Sequence, residues 1–197
     1  MGYAEWKEKF VDTGFTKGLS SGKIGDMDST TTITGIKQID YNNEDDVKKE
    51  IASFCEKFAY ADIEHALVIS PDGKAYQLSG NTGKVNIEII GKDELRHSIV
   101  IHNHPVESGD LSGDSFSIDD LYSSIIYDLR KLCLVSGERR NAFLFTKQHS
   151  KTDVYNAWIY AKNNIFVEGS QIIEFLQEEI LKKLNEDLEG FIFYEEF

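Results

Sequence analysis

The chain has 197 residues, of which 41% are hydrophobic, so it is long enough to bury a substantial core in one domain. Its formal net charge of −13 argues against a nucleic-acid partner, because phosphate binding needs clusters of Lys and Arg, and it is compatible with a basic protein substrate. The N-terminus lacks the apolar segment of a signal peptide, and no run is apolar enough to span a membrane. We therefore expect a cytoplasmic protein that does not bind membranes.

The N-terminal third of the sequence predicts an arm, a strand and a helix. Residues 1–28 contain a short amphipathic stretch and then many Gly, Ser and Thr residues, which predicts a flexible arm. Residues 30–39 alternate in polarity and predict a first strand. Residues 43–58 predict a helix, because four apolar side chains recur there at helical spacing, namely Val47, Ile51, Phe54 and Phe58.

Two strands joined by a tight turn are predicted next. The apolar run 65–69 and residues 74–79 flank an Asp-Gly pair, which is typical of a hairpin. Residues 85–90 predict another strand, and residues 92–95 predict a brief turn or helix.

The following segment places two histidines at the end of a strand. Residues 98–101 form an apolar run that predicts a short buried strand, and His102 and His104 come directly after it. Because side chains two residues apart on a strand point to the same face, both imidazoles can be directed at one point. Pro105 then ends the strand pairing, since it has no N–H to donate.

A second polar pair opens the helix predicted over residues 121–129. Ser117 followed three residues later by Asp120 is the pattern of a capping box, and alone it is more typical of a helix start than of a metal site. Imidazole and carboxylate are nevertheless good zinc ligands, and three protein ligands with one open position make a catalytic zinc site. The order of strand, histidine pair, loop and helix start therefore predicts a zinc site formed by His102, His104 and Asp120.

The C-terminal part predicts a strand, a helix and an aromatic end. Residues 141–146 predict the strand, and residues 170–188 predict a strongly amphipathic helix that packs on the core or mediates self-association. The aromatic residues within 191–197 are expected to pack back on the chain or to meet another chain. Cys55 and Cys133 fall within predicted helices, and we interpret them as buried thiols of a reducing compartment.

This arrangement resembles the JAMM/JAB (MPN-plus) metalloprotease family, whose motif is an upstream Glu, then His-x-His-Pro, then Ser-x-x-Asp. The resemblance covers the region 60–147, and five residues occupy motif positions without substitution, namely His102, His104, Pro105, Ser117 and Asp120. Between the two histidines the chain has Asn103, and in this it resembles the RadC-like and phage-associated branches of the family. The loop 106–116 is longer than in most members. An insertion in a flexible loop adds little to the entropy cost of closing it. Ser115 and Asp119 offer another register but have the wrong spacing.

The resemblance also implies a catalytic glutamate at a junction between a helix and a strand. Glu64 has that position, whereas Glu56 lies within the predicted helix and Asp62 matches a strand start less well. A solvated glutamate is the purely structural alternative for Glu64. By resemblance, Glu64 would be the general base, Ser117 would donate a hydrogen bond to the oxyanion, and a Zn²⁺-activated water would hydrolyse a peptide or isopeptide bond.

The fold class that follows is α/β (α+β), with a JAB/cytidine-deaminase-like mixed β-sheet flanked by helices. We divide the chain into an N-terminal arm (1–28), a JAB-like core (29–150) and a C-terminal helical extension packed on the core (151–197). Two other functional classes stay open: an inactive JAB-fold scaffold or binding module, and a phage or mobile-element protein with a processing or toxin role. The complete set of motif ligands argues against the scaffold.

Overall fold

Seven strands form one mixed sheet in the order β1-β3-β2-β4-β5-β6-β7. The structure is a computed structural model, and it describes residues 31–106, 115–165 and 173–197. The strands are β1 (Thr32–Gln38), β2 (His65–Ile69), β3 (Lys74–Ser79), β4 (Ile99–Asn103), β5 (Lys131–Ser136), β6 (Arg139–Phe145) and β7 (Phe191–Tyr194). The helices are α1 (Glu44–Phe58), α2 (Lys92–Leu95), α3 (Ile118–Tyr127), α4 (Lys151–Asn164) and α5 (Ile173–Asp187), together with a 3₁₀ helix over Ile87–Ile90. The predicted class, a mixed sheet flanked by helices, is confirmed.

One parallel pair interrupts an otherwise antiparallel sheet. The strands β4 and β5 run parallel and are joined through α3, whereas every other neighbouring pair is antiparallel. A parallel connection needs a crossover of a dozen or more residues, and a helix commonly supplies it. This β4-α3-β5 unit brings the first turn of α3 back to the carboxyl end of β4.

The two faces of the sheet are covered by different helices. One apolar cluster combines α1 with the side chains of Leu67, Ile101 and Val135. The other cluster combines α3, α4 and α5 with the opposite side chains of the same strands, including Val68, Val100 and Leu134. Because side chains alternate along β4, residue 102 faces the second cluster and residue 103 faces the α1 side.

The C-terminal residues belong to the same sheet and core. The strand β7 pairs with β6, so the aromatic end packs back on the chain. Leu181 and Leu184 of α5 are fully buried in the second cluster. Self-association through this helix would therefore have to use other residues of α5.

Three parts of the structure differ from the sequence predictions. Residues 85–90 are not a strand: the Asn86 side chain accepts a hydrogen bond from the Glu88 N–H and starts a 3₁₀ helix. Cys133 lies in β5 and not in a helix, because this short apolar run is a buried strand in the middle of the sheet. The helix α4, which begins with a capping box at Ser150, was predicted only as part of the helical extension 151–197 and not as an element of its own.

The other predicted elements of the described chain are present, with small shifts at their ends. The predicted arm lies outside the described residues, as do most of the loop 106–116 and the first residues of the predicted C-terminal helix. Within the described ranges, no helix has the length and apolar character needed to cross a membrane.

Candidate metal centre

Three side chains meet where β4 ends and α3 begins. The Nε2 atoms of His102 and His104 lie 3.0 Å apart. Asp120, in the first turn of α3, places Oδ1 3.2 Å from His102 Nε2 and Oδ2 3.9 Å from His104 Nε2. These are the three residues that the sequence predicted as metal ligands, and within the described ranges they form a group able to hold a metal ion.

The spacing of these atoms is compatible with one shared metal ion. With zinc bonds of about 2.0–2.1 Å, neighbouring ligand atoms of a tetrahedron lie about 3.3 Å apart. The two Nε2 atoms are 3.0 Å apart, and Asp120 Oδ1 is 3.2 Å from His102 Nε2, so both separations lie near this value. The 3.9 Å separation joins His104 to the other carboxylate oxygen, and one ligand atom from each residue lies within 4.8 Å of the others. Two imidazoles and one carboxylate also leave one position open for water or substrate, so the donor set fits zinc.

The site is buried enough for its charges to interact strongly. His102 is 6% exposed, and the ring of the fully buried Phe116 lies 6.1 Å from its imidazole. Burial opposes the negative charge of Asp120, but the two imidazoles and the Ser117 hydroxyl hold the pKa of its carboxyl well below its ordinary value. Burial likewise opposes a charged His102, yet the carboxylates of Asp120 and Glu64 raise the pKa of its imidazole. The site thus favours the anionic form of Asp120, and the neighbouring carboxylates favour a positive charge on His102.

Ser117 forms a complete capping box with Asp120. Its hydroxyl donates to Asp120 Oδ2 at 2.7 Å, and its backbone N–H donates to the same oxygen at 2.7 Å. The Asp120 N–H donates back to Ser117 Oγ at 3.3 Å. The structural role expected of Ser117 is therefore present, and the same bonds place its hydroxyl beside the ligand group.

Glu64 lies just before β2, beside the end of β4. Ala66 of β2 pairs with His102 as the last pair of the two strands, and continued alternation past this pair directs Glu64 to the face of the two histidines. Burial raises the pKa of the Glu64 carboxyl, and its charge interacts with those of His102 and Asp120.

The alternatives to Glu64 lie elsewhere. Glu56 is exposed on α1, which covers the opposite face of the sheet, and Asp62 is exposed ahead of β2. In the alternative register, Asp119 is exposed and Ser115 is buried, and neither belongs to the ligand group.

The remaining histidines lie outside the ligand group. The His65 Nδ1 atom is 2.8 Å from Ser79 Oγ, and the ring of His65 stacks on Phe58. His97 precedes β4 at its other end, and the His149 ring lies against Phe145.

Sequence reasoning assigned no role to Asn103, although its side chain is fully buried and makes two hydrogen bonds beside Glu64. No signal in the sequence could have revealed this, because the bonded groups lie about 40 residues earlier in the chain.

No family model, no curated protein and no solved structure matches this chain. The JAMM/JAB resemblance therefore depends on the motif residues alone.

Proposed function

We propose that this protein is a zinc-dependent hydrolase that cleaves a peptide or isopeptide bond in a protein or peptide substrate. The observation that carries the proposal is the group of His102, His104 and Asp120, with the Glu64 carboxylate, just ahead of β2, in electrostatic interaction with it. Three ligands with an open position and a nearby base are the parts that hydrolysis by activated water requires. The class of bond follows from the resemblance to the JAMM/JAB family.

Each residue of the site has a distinct task in this mechanism. A bound zinc ion would lower the pKa of a water ligand towards neutrality and polarise the substrate carbonyl. Glu64 would accept the proton of the attacking water and deliver it to the leaving amine, and its raised pKa makes it a stronger base for this step. Ser117 would exchange its hydrogen bond to Asp120 for one to the oxyanion of the tetrahedral intermediate.

The cysteines support a cytoplasmic location as part of the proposal. Cys55 and Cys133 are both buried free thiols. Burial raises the pKa of the Cys133 thiol to about 12, and it also raises the pKa of Cys55. Two inert, unpaired thiols are typical of a reducing compartment.

The proposal is tested with zinc-loaded protein and a defined peptide pool. The pool contains peptides from a tryptic digest of a whole proteome and branched peptides in which Gly-Gly is joined to a lysine side chain by an isopeptide bond. It is incubated with wild-type protein and with Glu64→Gln. Mass spectrometry then identifies new amino termini and released lysine side chains. We expect products only with the wild type, and none after chelation of zinc.

The matched control for this experiment is Glu56→Gln, which makes the same chemical change on the opposite face of the sheet. This variant should retain activity. A fully zinc-loaded wild type that releases no product from either kind of peptide would contradict the proposal and favour an inactive scaffold. Activity that is retained in Glu64→Gln would assign the base to another residue.

A further inference from the structure

Asn103 bonds the backbone on both sides of Glu64. Its Oδ1 accepts a hydrogen bond from the His65 N–H at 2.6 Å, and its Nδ2 donates to the Ile63 carbonyl at 3.0 Å. The side chain is fully buried, so water does not compete for either hydrogen bond. Leaving either partner unpaired in such a buried place would destabilise the fold, because the polar group would lose its hydrogen bond without gaining one to water.

These two bonds continue the pairing of β2 with β4 beyond the point where the ladder ends. The last paired residues of the two strands are Ala66 and His102. Residues 63–65 lie past this point, and the Asn103 amide supplies one donor and one acceptor to them. Asn103 therefore connects the backbone around Glu64 directly to β4.

The other side of Glu64 is fixed by a different segment. The Glu64 N–H donates to the Asn81 carbonyl at 2.7 Å, and the Gly80 N–H donates to the Glu64 carbonyl at 2.8 Å. The Val85 backbone also favours the charged form of the Glu64 carboxyl and so opposes the rise of its pKa by burial. These bonds orient Glu64 relative to β3, whereas the Asn103 bonds orient it relative to the strand that carries the histidines.

We propose that Asn103 is a positioning residue that sets the distance between Glu64 and the metal ligands. It is the last residue of β4, between His102 and His104, and its side chain lies on the opposite face. One short segment can therefore hold both the metal ligands and the backbone around Glu64 in a fixed relation. The inference depends on the proposed function, since it assigns Asn103 to the general base of that reaction. The amide of Asn103 carries its acceptor and its donor on separate atoms, so it can bond the backbone on both sides of Glu64 at once.

The test compares Asn103→Leu and Asn103→Asp with Asn141→Leu. Leucine removes both bonds at similar volume, and aspartate keeps the acceptor but not the donor. Asn141 is the matched control, because it is a buried asparagine of the same sheet, 1% exposed, on a strand that does not touch Glu64. Zinc content, measured by elemental analysis, should remain near one equivalent in all three variants.

A first readout is independent of activity. In ¹⁵N-labelled protein loaded with Co²⁺, pseudocontact shifts of backbone amides report their positions relative to the metal. Asn103→Leu should change the shifts of residues 63–65 and speed up hydrogen exchange of the His65 amide, while the amides of α3 stay as in the wild type. Unchanged shifts at residues 63–65 would overturn the inference, and so would loss of the metal.

A second readout uses the peptide pool. Asn103→Leu should lower kcat by about 10²-fold with little change in KM, because a base displaced by about 1 Å loses this much of its effect. In the Glu64→Gln background, Asn103→Leu should cause no further loss, since the group that it positions is already gone. A loss that adds fully to that of Glu64→Gln would show a general structural role and overturn the inference. An inactive wild type with altered Co²⁺ shifts in Asn103→Leu would contradict the hydrolase and leave the positioning of Glu64 intact.

Discussion

Asp120 belongs both to the cap of α3 and to the candidate metal centre, through its two carboxylate oxygens. Oδ2 accepts hydrogen bonds from the Ser117 N–H and the Ser117 hydroxyl, and Oδ1 faces His102 at 3.2 Å. A helix cap and a metal ligand are therefore compatible at one residue, because each oxygen can serve a different partner. The capping bonds also fix the rotamer of Asp120 before any metal binds, which reduces the entropy lost on coordination.

The first prediction concerns the ligands. His104→Ala should lose most of the bound zinc, because His102 and Asp120 alone leave only two protein ligands. His97→Ala is the matched control, since His97 also adjoins β4 but lies at its opposite end. Zinc content after dialysis, measured by elemental analysis, should be near one equivalent in the control and in the wild type. Full occupancy in His104→Ala would exclude the proposed site.

The second prediction separates the two roles of Ser117. Ser117→Ala should cost about 1 kcal/mol of unfolding free energy, because the cap of α3 is lost. As the oxyanion donor, the same hydroxyl should also contribute about 10²–10³-fold to kcat. Chemical denaturation and turnover of the peptide pool measure the two effects independently.

Ser150→Ala is the control for that experiment, because Ser150 forms the same kind of box with Asp153 at the start of α4. Its hydroxyl donates to Asp153 Oδ2 at 2.7 Å, away from the ligand group. This variant should lose similar stability and no turnover. Equal turnover in both variants would restrict Ser117 to a capping role.

At the scale of elements, the β4-α3-β5 unit explains how the site forms. The parallel crossover returns the chain to the sheet beside β4, so a residue in the first turn of α3 meets side chains at the end of β4. Both parts carry strong local signals, a short apolar run followed by Pro105 and a capping pattern. The sequence therefore predicted β4, α3 and the ligand group.

Other elements lack such signals or carry conflicting ones. The run around Cys133 is too short to distinguish a buried strand from a helix by periodicity. At residues 85–90, the local cap by Asn86 competes with strand formation, and it decides the outcome. In sequence, Asn103 is only the residue between the two predicted ligands, and its role becomes apparent only when β2 and β4 are side by side.

The third prediction concerns the coupling of these elements by metal. Zinc bridges β4 and α3, so its removal should speed up amide hydrogen exchange in the first turn of α3 and at the end of β4. At a free zinc concentration of 100 Kd, the bound ion stabilises the fold by about 2.7 kcal/mol. The internal control is α1, which covers the other face of the sheet. Hydrogen exchange of its amides should speed up only as far as zinc removal lowers the stability of the whole fold. Uniform acceleration along the whole chain would show that the ion does not act locally at these two elements.

At the scale of the molecule, one sheet carries two apolar layers, and the C-terminal residues are part of both the sheet and the larger layer. The strand β7 completes one edge of the sheet, and α5 fills the core with Ile180, Leu181 and Leu184. The other edge differs: all residues of β1 are exposed, and Ile36 is 61% exposed. The stability of the fold should therefore depend far more on the C-terminal helix than on β1.

The fourth prediction compares one apolar residue from each place. Leu184→Ala should lower the free energy of unfolding by about 2–5 kcal/mol, because it removes a fully buried side chain and leaves a cavity. The free energy of unfolding of Ile36→Ala should stay within about 0.5 kcal/mol of the wild-type value, since the Ile36 side chain is already largely exposed to water. Urea denaturation followed by far-UV circular dichroism measures both. The transition of Leu184→Ala should remain single, because α5 and the strands share one core. A separate early transition in this variant would indicate that residues 151–197 unfold independently of the sheet that carries the candidate metal centre.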